Sequence, residues 1–345
     1  MVRTTAPPVS VGLPVRNGMP YLVEALQALL QQSFGDFELV VCDNASTDET
    51  EEVTRDFVRA DPRVRYVRVE TDEGASANFN RCVLETRAPL FTWAASDDRF
   101  LPDYLRRCVT YLEAHSEYVM CVPGVRFIDE TGMRRGELRQ PPSLASPEVS
   151  ARLRTYLDRR SWYMIYGLMR REALTRTGML AQCFGPDVIL LWEILLRFRI
   201  GTLEEALIEY RRYRVKEAEA VWRGIQPESS GATPGWLHIS LFRGLLECLN
   251  REDLDAGTRA TGRLILLRWL ASTPFRDLVV DDLRDELRRS GRRPNPFYDA
   301  ALMAAMALLR PTRGLRLARR ESIVTVLRQH TDRDSSRSPR PGDRL

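Results

Sequence analysis

A chain of 345 residues with 44% apolar content can bury a sizeable core, and it fits one large α/β domain with an appendage better than two equal domains. Fifty-one Lys and Arg against 47 Asp and Glu leave a formal net charge of +4, too little to support nucleic-acid binding without a clustered basic face. The six cysteines (Cys42, Cys82, Cys108, Cys121, Cys183, Cys248) are scattered, without C-x-x-C spacing, which excludes a disulfide framework and places the chain in a reducing cytoplasm.

Apolar β-type runs over 9–13, 37–42, 64–69, 90–94 and 118–122 alternate with helical patterns over 21–32, 47–60, 75–85 and 102–115. That rhythm predicts a mostly parallel sheet with helices on both faces. The run 37–42 is nearly continuous in apolar residues, as a central strand buried on both faces should be. Ser46 with Glu49 three residues later predicts a capping box for the second helix.

The prolines and serines of 140–147 mark a loop, and a more irregular α+β section runs on to about Tyr213. Residues 223–235 read as a linker, followed only by helical patterns at 236–250, 254–270, 275–289, 296–309 and 315–329. The tail 331–345 is polar and Pro-containing and is expected to be disordered. Arginines concentrate late, at 288, 289, 292, 293, 310, 313, 316, 319 and 320, so the terminal helices could face anionic lipid, an acidic partner or plain solvent. No charged start precedes a long apolar region at the N-terminus, and no apolar run reaches the roughly 18 residues that span a bilayer; neither secretion nor membrane insertion is expected.

In open parallel sheets ligands bind beyond the carboxyl ends of the strands. Three polar segments stand there: Pro14-Val15-Arg16-Asn17-Gly18, Asp43-Asn44-Ala45-Ser46-Thr47-Asp48 and Ser96-Asp97-Asp98. Neither G-x-G-x-x-G after the first strand nor G-x-x-x-x-G-K-[ST] occurs, which argues against a dinucleotide oxidoreductase and a P-loop phosphotransferase. Adjacent Asp97 and Asp98 repel unless something positive offsets them, and Mg²⁺ or Mn²⁺ shared with a pyrophosphate is one answer. A turn and N-cap before Leu101-Pro102-Asp103 is the other, and Asp43 is equally open between a binding role and an Asx-turn. With only His115, His238 and His330, neither a histidine-rich metal site nor a Ser-His-Asp triad has support.

Taken together, Val9 to Gly18, Glu38 to Thr50 and Trp93 to Pro102 resemble the family 2 glycosyltransferases in order and spacing, over about residues 8–213. The resemblance implies a GT-A fold: a Rossmann-like, mostly parallel sheet flanked by helices, here with a C-terminal helical extension. The GT-A domain would occupy 1–222, with a nucleotide half over 8–130 and an acceptor half over 131–222, then the linker, a helical extension over 236–330 and the tail. It implies sugar transfer from a nucleotide-sugar donor of the UDP, GDP or dTDP type to a glycan, lipid-linked or small-molecule acceptor.

By the same resemblance Asp43 holds the nucleobase, Pro14 and Asn17 line the nucleoside pocket, and Asp97 with Asp98 bind a divalent metal (Mg or Mn) and the diphosphate. The first aspartate of the family's D-x-D motif falls on Ala95, a departure that bears on metal affinity. Inverting members take the acceptor proton with an Asp or Glu just before a helix, a position matched by Asp187 in Cys183-Phe184-Gly185-Pro186-Asp187, with helix-capping as the alternative. Glu193, six residues on, shares no face with it and ranks second. Arg211 and Arg212 stand where relatives carry Arg and His near the diphosphate; they would neutralise leaving phosphates or simply line a surface strand. Arg81, after Asn78 and Asn80, matches a looser phosphate-contact position or is a solvent-facing charge. Trp162, Tyr163 and Tyr166 would stack on an acceptor or pack in the core.

Ala95 and the missing histidine leave a second class open, a catalytically reduced nucleotide- or glycan-binding scaffold. A nucleotidyltransferase would more usually carry a Gly-rich, basic loop after the first strand. The expected location is the cytoplasm, peripheral at the inner membrane face or dimeric if the terminal helices mediate contact.

Overall fold

The computed structural model describes residues 6–159, 162–213, 226, 237–271, 275–279 and 282. The linker, the helices anticipated at 296–309 and 315–329, most of that at 275–289, the terminal arginines and the tail lie outside the described residues.

The first half alternates as anticipated: β1 (Val9–Val15), α1 (Leu22–Leu30), β2 (Phe37–Asn44), α2 (Thr50–Ala60), β3 (Val64–Val69), α3 (Ala75–Leu84) and β4 (Leu90–Trp93). A two-residue strand β5 (Arg99–Phe100), α4 (Tyr104–Ala114), and the hairpin β6 (Tyr118–Ile128) and β7 (Arg134–Leu138) follow. Then come α5 (Val149–Arg159), β8 (Leu168–Arg170), α6 (Arg171–Thr175), α7 (Pro186–Arg197) and β9 (Arg199–Arg211), with α8 (Leu237–Cys248) and α9 (Ala256–Ala271) beyond. The strands form one mixed, mostly parallel sheet in the order β3-β2-β1-β4-β8-β6-β9-β5, with β7 added on β6. The antiparallel pairs belong to β5, β7 and β8.

Strand β2 explains why its sequence is continuously apolar. Leu39 and Val41 point into a core shared with α1 and α4, while Val40 and Cys42 point into the opposite core. Side chains alternate across a strand, so a strand covered on both faces must be apolar at every step. Gly12 of β1 lets α3 approach closely, because a Cβ there would lie 2.5 Å from Cys82 Cβ and 3.0 Å from Phe91 Cζ.

Two local expectations are corrected. Ser46 and Glu49 do not form a capping box: α2 starts at Thr50, whose N–H donates to Asp48 Oδ1 at 3.1 Å, while the Ser46 hydroxyl turns back to Asp43. Ser46 lies too far upstream of the helix, and the nearer acceptor wins. Likewise, Asp98 caps no helix, because β5 intervenes and pairs with β9 before α4 begins beyond Asp103. The helices α8 and α9 share the core of α5 and α7, through Leu241, Leu245, Ile265, Leu266 and Trp269.

Candidate functional site

Parallel pairing aligns the ends of β2, β1 and β4 along one sheet edge. Val15 is opposite Asp43, and Gly12 is opposite both Val40 and Trp93, so the three polar segments emerge together. The first two are laced to each other. Asn17, in a left-handed conformation with φ 53°, donates its N–H to Ser46 Oγ at 2.9 Å, and its Oδ1 accepts from the Thr47 N–H at 2.8 Å. Gly18 N–H donates to Thr50 Oγ1 at 2.8 Å, and Met19 N–H to Asp48 Oδ2 at 3.1 Å. Pro14 is the penultimate residue of β1 and pairs with Cys42.

Asp43 is fully buried, and both its oxygens are engaged. Oδ1 accepts from the Ser46 N–H at 2.9 Å, and Oδ2 accepts from Arg68 Nη1 at 2.7 Å and from the Tyr66 hydroxyl. Burial, followed by the bond to Asp43, raises the Tyr66 phenol above its ordinary value, so it stays a proton donor. Tyr66 and Arg68 escaped the sequence reading. Their signal was register: on β3, Arg68 stands opposite Asp43 and Tyr66 opposite Val41.

Asp97 and Asp98 follow β4. Asp98 is 1% exposed; its Oδ1 accepts the Arg211 backbone N–H at 2.8 Å, and its Oδ2 is buried without a hydrogen bond. Asp97 Oδ2 accepts the Tyr213 hydroxyl at 2.7 Å. Burial first, and the Asp97 charge second, raise the Asp98 carboxyl well above its ordinary value. Each carboxylate thus keeps one oxygen that receives no hydrogen bond among the described residues, a donor set that fits a hard divalent cation completed by phosphate oxygens and water. No group of three or more His, Cys, Asp or Glu side chains placed to hold a metal ion occurs among the described residues.

Arg211 is 3% exposed and spent on protein acceptors: Asp97 O at 2.9 Å, Asp129 O at 3.1 Å, Glu130 O at 3.2 Å and Glu24 Oε2 at 2.6 Å. Its guanidinium also lies over the Tyr21 ring at 4.1 Å. Glu24, which bonds Arg99 at 2.9 Å as well, is a second residue the sequence reading missed. Arg212 turns the other way, donating to the Tyr163 hydroxyl at 3.1 Å over the Phe127 ring.

Helix α3 joins the two halves of the site. Asn78 Nδ2 donates to Cys42 O at 2.8 Å and Val15 O at 3.3 Å, tying the helix to β1 and β2. One helical turn apart on another face, Ser76 Oγ donates to Ala181 O at 2.9 Å and Asn80 holds both backbone groups of Leu180. Arg81 pairs with Glu73 and bonds Asn78 Oδ1 at 3.3 Å. The segment so clamped leads straight into α7.

There Asp187 sits in the first turn of α7, one residue inside the helix rather than just ahead of it, after Pro186 and a left-handed Gly185 at φ 67°. Burial raises its carboxyl to about 6, against the lowering effect of the backbone N–H groups of Val188 and Asp187. The partly buried phenols of Tyr166 and Tyr210 are raised well above their ordinary value, by desolvation first, and each also feels the charges of Asp97, Asp98 and Asp187. The three carboxylates thus lie within electrostatic reach of the same two tyrosines. Glu193 lies apart, 2% exposed, accepting the Gly178 N–H at 2.9 Å. Tyr163 packs edge-on against Tyr210 with ring centroids 4.6 Å apart.

Comparisons with known proteins agree with this geometry. EpsE of Bacillus subtilis (strain 168) is 28% identical over 149 residues, 43% of this chain and 53% of EpsE. The uncharacterized glycosyltransferase EpsJ of the same organism is 25% identical over 187 residues, 53% of this chain and 52% of EpsJ. The chain thus spans about half the length of these curated relatives. Among solved structures, S. aureus TarS 1-349 in complex with UDP-GlcNAc superimposes with a TM-score of 0.58 at 18% identity, covering 76% of this chain and 71% of that one. The mannosyltransferase PcManGT from Pyrobaculum calidifontis, in complex with GDP-Man and Mn²⁺, gives 0.51 at 16% identity, covering 95% and 85%. These two likenesses establish the GT-A fold. The model of glycosyl transferase family 2 matches residues 10–182, half of the chain, and to that family this chain belongs.

Proposed function

We propose that the protein transfers a sugar from a nucleotide-sugar donor to a hydroxyl acceptor with inversion at the anomeric carbon. The observation that carries this reading is the meeting of the Asp43 strand end, the Asn17 turn and the Asp97–Asp98 segment along one sheet edge, with Asp187 within electrostatic reach of the same two tyrosines as Asp97 and Asp98.

In this reading Asp43, braced by Tyr66 and Arg68, receives the nucleobase, with Pro14 and Asn17 beside the nucleoside. Asp97 and Asp98 would hold Mg²⁺ or Mn²⁺ through their open oxygens; bound there, the ion would offset the charge of the departing diphosphate. In this reading Arg212 and Arg81 would turn from Tyr163 and Glu73 to neutralise the leaving phosphates, whereas Arg211 would position the aspartate loop. Asp187 takes the proton from the acceptor hydroxyl, whose oxygen attacks the anomeric carbon as the nucleoside diphosphate leaves from the opposite face. A carboxyl near 6 is ionised at neutral pH yet basic enough for that transfer. Donors of the UDP, GDP or dTDP type are in scope, in keeping with neighbours solved with UDP-GlcNAc and GDP-Man. The acceptor is a glycan, a lipid-linked sugar or a small molecule.

One observation favours a second reading, a nucleotide-binding scaffold: Ala95 occupies the place of the first D-x-D aspartate. Calorimetric titration with UDP, GDP and dTDP, each with Mn²⁺ and with EDTA, separates the two when paired with donor turnover. Metal-dependent binding of one nucleotide, lost in Asp43→Ala and Asp97→Ala and accompanied by turnover, supports the transferase. Binding without turnover on any acceptor supports the scaffold.

A further inference from the structure

A cavity of about 460 Å³ lies away from the donor edge, between α5, the end of α7, the start of β9 and the loop before α9. Four arginines line it, Arg152, Arg176, Arg197 and Arg199, with two aspartates, Asp253 and Asp255. Both carboxylates are already taken. Asp253 makes a two-pronged bond to Arg197, at 2.7 and 2.9 Å, and Asp255 caps α9 through the Thr258 N–H at 2.8 Å and hydroxyl at 2.6 Å.

The other three arginines pair with no carboxylate among the described residues. Arg152 is the sharpest case, at 3% exposure. Its Nε donates to Leu195 O at 3.1 Å and its Nη1 to Ser146 O and Pro147 O, both at 2.9 Å; its Nη2 makes no hydrogen bond among the described residues. Arg199 donates to Ala145 O at 2.8 Å and lies over the Tyr118 ring; Arg176 lies over the Phe198 ring. Burial holds the Arg152 guanidinium below its ordinary value, the Arg199 charge lowers it further, and Glu148 opposes this more weakly. Buried charges are normally paired, and three carbonyl dipoles offset only part of one. Planar forked donors around a polar cavity match phosphate oxygens.

We propose that this cavity is a second anion site, taking a phosphate-bearing ligand, either a free phosphate compound or a phospholipid headgroup, independently of the donor pocket.

The test is calorimetric titration of the full chain with sodium pyrophosphate, and co-sedimentation with phosphatidylglycerol or phosphatidylcholine vesicles. Wild type, Arg199→Gln, Arg176→Ala and Asp97→Ala are compared, the pyrophosphate titrations in EDTA, with Arg152→Met added if it folds. We expect pyrophosphate affinity to fall about tenfold in Arg199→Gln and less in the exposed Arg176→Ala, with Asp97→Ala unaffected and UDP affinity retained in both arginine variants. Binding only to phosphatidylglycerol vesicles, weakened by the same variants, would assign the headgroup as the source. Pyrophosphate and vesicle binding that are both absent, or both indifferent to Arg199 and Arg176, would overturn the site.

Discussion

The Arg211 backbone N–H holds Asp98 Oδ1 at 2.8 Å while its own guanidinium, buried, reaches Glu24 Oε2 at 2.6 Å. One residue at the end of β9 thereby fixes the aspartate loop from β4 and the first helix at once. Arg211→Ala should strip the guanidinium donors from Asp97 O, Asp129 O and Glu130 O and leave Glu24 with Arg99 as its remaining cation. Because Glu24 is 41% exposed, the loss should fall short of that for a fully buried pair, about 2–4 kcal/mol by urea unfolding. Unchanged stability would show that the clamp is dispensable.

Asp187 gives a pH signature. Its carboxyl is raised to about 6 by burial, so a base in this position is progressively protonated below that value, and kcat/KM should decline as pH falls through about 6. Asp187→Asn should cost about 10²–10⁴ in kcat with nucleotide affinity retained. A pH profile flat from 5 to 8, or near-normal turnover in the variant, would remove it from the chemistry.

The same group acts on stability with the opposite sense. A carboxyl raised in the folded state makes that state bind more protons between about 4 and 6, so its contribution is present at low pH and is lost as pH rises through 6. Asp187→Asn should therefore be more stable than the parent at pH 7 by about 1–3 kcal/mol, the gap closing by pH 4. Denaturation at both pH values measures it.

For Asp43, the buried bonds to Tyr66 and Arg68 predict a double effect. Asp43→Ala should abolish nucleotide binding at millimolar ligand and cost about 1–3 kcal/mol by taking the acceptor from the Tyr66 hydroxyl, while Arg68 keeps Ser46 O and Glu51. Arg68→Met should weaken nucleotide binding with a smaller stability loss, because Asp43 keeps its Ser46 and Tyr66 donors.

Gly12→Ala tests the approach of α3 to the sheet. Its Cβ would meet Cys82 Cβ at 2.5 Å, and neither partner is the far end of a flexible chain. A loss of about 1–3 kcal/mol is expected. Since α3 also carries Asn78 and Asn80, nucleotide affinity should fall too, and wild-type affinity in the folded variant would disconnect packing from the site.

Much of this was legible beforehand because it is local. Strand and helix alternation through residue 122, the continuous apolar β2 and the polar segments at three strand ends follow from side-chain period and turn chemistry, which neighbouring residues set among themselves. The start of α2 was misjudged for the complementary reason: Ser46 has a buried competitor for its hydroxyl in Asp43, and Asp48 stands nearer the helix.

Sequence by itself determined the family, the order of the elements and the candidate aspartates, since each rests on residue types at short, fixed spacings. Only tertiary structure decided which charges are spent and which remain open. Arg211 and Arg212 are adjacent in the chain, yet one is locked against Glu24 and the other turned toward Tyr163, because Arg211 ends β9 and the side chain of the next residue projects to the other side. Tyr66, Arg68 and Glu24 entered the site, and Arg152 was left without a carboxylate in salt-bridge contact among the described residues, through packing between segments tens of residues apart, which no local spacing encodes.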